Sequence, residues 1–216
     1  MAIEPYVRRR WPQVMTSWTR MLSGKWHDPL VGRDLLTGAL MGSGAALVLS
    51  LATAAIVRLN LPSETAQSFD DIALGSLSGA TASMITTMVG GTIYSLGITF
   101  IVFLLRSWTK RLWLAETIAV VLAVPLILGS ENWWLDGPVA VLMAASIVLC
   151  CTRMGLLSLW AYYLTFGILM SFPWALEPSR WYFNRTVLGL AVCAGLAVYG
   201  FRTTLAGKPA FQTLTE

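Results

Sequence analysis

The stretch Tyr6–Leu36, YVRRRWPQVMTSWTRMLSGKWHDPLVGRDLL, runs directly into Leu35–Val57, LLTGALMGSGAALVLSLATAAIV, which holds no charged side chain. The first stretch carries Arg8, Arg9, Arg10, Arg20, Lys25 and Arg33 out of 15 basic residues in the chain, with Trp11, Trp18 and Trp26 among them. Basic charge beside an apolar span holds that end of a helix on the cytoplasmic side. Tryptophan suits the headgroup level, where its ring is apolar and its N–H stays wet. Arg8, Arg9, Arg10, Trp11, Trp18 and Trp26 are therefore expected to anchor this segment at the inner interface. Residues 11–23 read as an amphipathic helix lying in that plane, with Pro12 at a first helical position and Ser23-Gly24 ending it. Asp28-Pro29 reads as a turn.

Composition agrees with a membrane chain. Of 216 residues, 56% are hydrophobic and only 12% charged, where a soluble domain carries about 25% charged residues. Mean hydropathy is +0.66. The apolar runs are about 20 residues long, the length of a helix crossing about 30 Å of hydrocarbon, and they lack the alternation of an outer-membrane barrel. The expected fold is all-α: a polytopic bundle of about six spanning helices preceded by the interfacial helix. It divides into a basic, aromatic cytoplasmic segment (1–34), a transmembrane domain (35–201) and a cytoplasmic tail (202–216).

The six expected spans are 35–57, 83–105, 112–128, 138–151, 154–174 and 186–201, the fourth short. Residues 58–82 read as the longest polar connection, with a surface helix starting after Pro62-Ser63 and re-entry of 72–82 as the alternative. If both ends lie inside, the inner segments hold all basic residues except Arg58, Arg180 and Arg185, while Glu64, Asp70, Asp71, Glu131, Asp136 and Glu177 fall outside. That bias supports cytoplasmic termini. The net charge of +4 is read as topology and contact with anionic lipid at the inner face, with no nucleic-acid partner.

Gly38 and Gly42 form a GxxxG pair, and Gly90 and Gly91 sit mid-span. All four are expected to let helix backbones approach closely. Thr86, Thr87 and Thr92 are expected to bond back to their own helix. Glu116 is the intramembrane ionisable candidate, but it follows Arg111 by five residues, and pairing with Lys110 or Arg111 is its expected structural role. Cys150, Cys151 and Cys193 fit no disulfide, haem or zinc pattern and read as small apolar residues. The single histidine, His27, reads as solvated. No phosphate-binding loop, H-E-x-x-H, nucleophile elbow or kinase signature is present, so no catalytic residue, metal or cofactor is assigned.

Glu4–Gly42, EPYVRRRWPQVMTSWTRMLSGKWHDPLVGRDLLTGALMG, resembles the C-terminal membrane region of acidobacterial serine/threonine protein kinases. In that family a related E-P-Y-V-R-R-R-W-P segment follows an upstream membrane helix, and a D-P-L-V-G-R-D-L-L-x-G segment opens a hydrophobic block. Phe172–Phe183, FPWALEPSRWYF, and Tyr199–Phe211, YGFRTTLAGKPAF, resemble the family's later segments. The likeness covers both ends of the chain, in order. It implies a non-catalytic module of a bacterial cytoplasmic membrane, for anchoring, sensing or scaffolding, with a kinase domain or other membrane subunits as partners. The family's kinase activity lies in a separate N-terminal domain, so no catalytic position carries over. The alternatives are a standalone accessory subunit of a membrane complex and a small transporter, the last resting on Glu116.

Overall fold

The computed structural model describes residues 12–60, 77–128, 133–172, 179 and 183–205. Among them all regular structure is helical. The elements are α1 (Pro12–Leu22), α2 (Pro29–Arg58), α3 (Leu77–Thr109), α4 (Leu112–Ile127), α5 (Trp133–Leu149, continuing through a π-helical turn, Cys150–Met154), α6 (Leu156–Ser171) and α7 (Phe183–Thr204). The helices over Pro29–Arg58, Ser78–Thr109, Trp133–Met154 and Phe183–Thr204 are long and apolar enough to cross a membrane. α4 and α6 are apolar but have 16 residues each, about 24 Å at 1.5 Å per residue.

α2 starts earlier than its hydropathy suggests. Asp28 caps it by accepting from the Leu30 amide, and Pro29 occupies the first turn, where its missing N–H costs nothing. Asp28-Pro29 is thus a helix start rather than a free turn, and residues 29–34 are helical. At the other end Asn60 takes φ 50°, a left-handed position that asparagine tolerates. α3 likewise begins at Leu77, so the end of the expected 58–82 connection belongs to the helix.

The expected lengths of the fourth and fifth spans are reversed. The fourth runs from Trp133 to Met154, 22 residues. Pro138 lies inside it, where it removes one backbone hydrogen bond that the apolar remainder of the helix outweighs. The fifth is the short one. Gly155, at φ 105° and ψ −176°, separates it from the π turn in a conformation open essentially to glycine alone. Phe172 is extended (φ −93°, ψ 137°), as the residue before Pro173 prefers to be.

α6 is the centre of the bundle. Leu156, Leu157, Leu159, Ala161 and Tyr162 are all at most 1% exposed. It runs parallel to α2, since Gly38 faces Ser158 and Gly42 faces Tyr162, and antiparallel to α3, since Gly91 faces Tyr163 and Gly167 faces Thr87. α7 packs antiparallel on α2 through Gly32 and Gly200. Among the described residues, much of the surface outside this core is apolar. α3 exposes Ile85, Val89, Ile93, Leu96, Phe100 and Leu104. A helix apolar all round, with its large side chains outward, has lipid as its solvent.

Candidate functional site

Three groups of residues could carry function. The first is the seam of α2. At Gly42 an added Cβ would lie 2.5 Å from the Tyr162 carbonyl oxygen, and at Gly38 it would overlap the Ser158 carbonyl oxygen. At Gly32 it would lie 2.7 Å from the Gly200 oxygen and the Thr204 nitrogen. Gly38 and Gly42 therefore pack within the chain against α6. Gly91 packs on Tyr163, with Cβ space of 3.4 Å. Gly90 does not share this role: it meets only the ring of Tyr94, on its own helix, at 3.8 Å. Adjacent helical residues point about 100° apart, so only one of the pair can face α6.

The second group joins α1 to the core. Ser17 donates a hydrogen bond to Asp34 Oδ2. Arg33 donates to Asp34 Oδ1 from Nε at 3.2 Å and from Nη2 at 3.1 Å. Asp34 is 2% exposed. Ser158 donates to the Asp34 carbonyl oxygen at 2.7 Å, and its hydroxyl lies 3.0 Å from that of Thr37. A buried carboxylate is tolerable only when so partnered. Sequence reasoning missed Asp34. Its signal was spacing: it shares the stripe of Val31, Gly38 and Gly42, the face that α2 buries.

Trp18 and Met21 also pack onto buried residues of α2 and α6. Trp18 is therefore part-buried against protein rather than a pure interface anchor, because Ser17 draws that face of α1 onto Asp34. Trp26 is 52% exposed, as an anchor would be, and its carbonyl accepts from the Tyr199 hydroxyl at 2.6 Å. Arg20 pairs with Asp28 at 2.5 Å. The Leu30 amide first, then the Arg20 guanidinium, hold the Asp28 carboxyl below its ordinary pKa, against an opposing push from partial burial. Arg8, Arg9, Arg10 and Trp11 lie outside the described residues.

The third group is Glu116. It makes no ion pair with Lys110 or Arg111, both of which are exposed. Its Oε1 is buried with no hydrogen-bond partner among the described residues. The expected structural pairing is thus not formed. α4 begins only at Leu112, and Glu116 lies on the same side of it as Leu112, Ala119 and Val120, which pack inward. His27 is exposed, Cys150 and Cys151 are buried free thiols, and Thr86, Thr87 and Thr92 bond back to their own helix. Among the described residues no cluster of histidine, cysteine or acidic side chains could hold a metal ion.

Fold and surface together define an all-helical membrane protein. Compared with protein-family models, curated proteins and solved structures, the chain matches none of them.

Proposed function

We propose that this chain is a non-catalytic membrane module of a bacterial transmembrane serine/threonine kinase system, crossing the cytoplasmic membrane six times with both ends inside. The observation that carries this reading is the Ser17–Asp34 joint. It ties a helix at one end of the bundle to the buried seam of α2 and α6. A shift of α2 against α6 therefore has to move α1, and with α1 whatever is attached before it. A module that relays or anchors across a membrane needs that mechanical link. The resemblance of Glu4–Gly42 to kinase membrane regions supplies the partner. Alternating helix directions and the basic residues at the α1 end support the orientation, with anionic lipid at that face.

The test is the apparent mass of the native protein in its own membranes, read under denaturing conditions with an antibody against residues 206–216. A band far above 23.6 kDa that carries kinase sequence supports the reading. A band near 23.6 kDa with no co-purifying kinase refutes it, and the accessory-subunit reading then stands. A small transporter is the second reading, favoured by the unpartnered Oε1 of Glu116. Unchanged flux in Glu116→Gln removes it.

A further inference from the structure

The cations at the α1 end are not equivalent. Arg20 is paired with Asp28, and Arg33 with Asp34. At the turn between α3 and α4 the arrangement differs. Lys110 and Arg111 alone connect Thr109 to Leu112, and both are exposed. Lys110 takes φ 56°, its amide bonded to the Arg106 carbonyl at 3.0 Å, which sets the backbone direction of the turn. Glu116, the nearest acidic residue in sequence, pairs with neither. Two adjacent cations therefore lack a carboxylate partner among the described residues. Trp108 and Trp113 flank them and are 85% and 59% exposed.

We propose that this turn is a binding site for an anionic phospholipid. Lys110 and Arg111 hold the headgroup phosphate, and Trp108 and Trp113 lie along the adjoining glycerol and upper acyl chain. The inference rests on reading this end of the bundle as the inner membrane face, and it narrows a general attraction for anionic lipid to one place. The chemistry fits in two respects. A phosphodiester supplies the missing negative charge to the adjacent lysine and arginine. An indole suits the boundary between headgroup and chain, where an inorganic anion would gain nothing from it.

The experiment uses the full chain in detergent. Lipid binding is read by native mass spectrometry with added dioleoylphosphatidylglycerol or dioleoylphosphatidylcholine. The variants are Lys110→Gln with Arg111→Gln, and, as a control removing equal charge at the same end, Lys25→Gln with Arg202→Gln. The expected result is about a 10-fold or greater loss of the tightest phosphatidylglycerol site in the first pair. The control pair should change it less than about 3-fold, with phosphatidylcholine unaffected. Trp108→Ala with Trp113→Ala, both charges kept, should also weaken it. If the first pair fails to fold, Lys110→Gly removes one charge while suiting the left-handed backbone, and should give an intermediate loss. Equal losses in the two charge pairs would overturn the site in favour of diffuse attraction. Displacement by inorganic phosphate beyond that by chloride of equal ionic strength would overturn the lipid as its ligand. Failure of the chain to bind either lipid refutes the membrane reading itself, which separates that failure from failure of the site.

Discussion

Substituting Gly42 by alanine adds one methyl group where α2 and α6 lie backbone to backbone. The new Cβ would stand 2.5 Å from the Tyr162 carbonyl oxygen and 3.1 Å from its carbonyl carbon and Cα. Carbon and oxygen normally meet at about 3.3–3.6 Å, so the helices must separate by roughly 1 Å. The obstacle is backbone, and no rotamer change relieves it. α6 cannot retreat freely, because α3 packs on it through Gly91 and Gly167. Overpacking of this kind costs about 1–3 kcal/mol. The gain from replacing glycine in a helix interior, about 0.5–1 kcal/mol, offsets only part of it. The expected net effect is a loss of up to about 2.5 kcal/mol. Gly44→Ala and Gly97→Ala are the controls, since a Cβ at either meets nothing within 4 Å. Both should be neutral or stabilising by about 0.5–1 kcal/mol. The assay is unfolding of the purified protein in detergent, followed by circular dichroism. If Gly42→Ala is as stable as Gly44→Ala, the close α2–α6 approach is wrong.

Other outcomes follow from the same contacts. Gly90→Ala should behave like the controls and not like Gly42→Ala, because only the Tyr94 ring lies near it; thermal unfolding of the two variants decides this. Asp34→Ala strands the Ser17 hydroxyl and removes the Arg33 pair, at a cost of about 1.5–3 kcal/mol. It should also loosen α1, seen as faster tryptic cleavage at Lys25. Gly155→Ala puts a side chain at φ 105° and should cost about 1–3 kcal/mol, read from the unfolding midpoint. Asp28 titrates lower in the folded protein than in the unfolded chain. Its stabilisation is complete above the unfolded value of about 3.9 and is lost as pH falls through the lower folded value. The thermal unfolding midpoint should therefore fall with acid below about pH 4. Asp28→Asn, which still caps a helix, should blunt that dependence; an unaltered acid profile would remove Asp28 as its source.

By itself the sequence determined that this chain is helical and solvated by lipid, because hydrophobic run length and charge depletion act locally and need no knowledge of neighbours. GxxxG spacing likewise marked Gly38 and Gly42 as packing positions, and the threonines of α3 were legible as self-bonded. Tertiary structure alone decided which helix each glycine meets. Gly90 and Gly91 look equivalent in sequence, yet one faces Tyr163 and the other does not, because a helix turns about 100° between neighbours. It also decided which helix is central. α6 has no compositional mark that α3 lacks, and in lipid both its buried and exposed faces are apolar. Helix lengths moved for local backbone reasons that hydropathy cannot register: the Asp28 cap, Gly155 at positive φ, and Phe172 before Pro173. The fates of the charged residues were least legible of all. Asp34 became a buried joint and Glu116 was left without its expected cations, because a carboxylate's partner is set by which helices pack together and not by its distance along the chain.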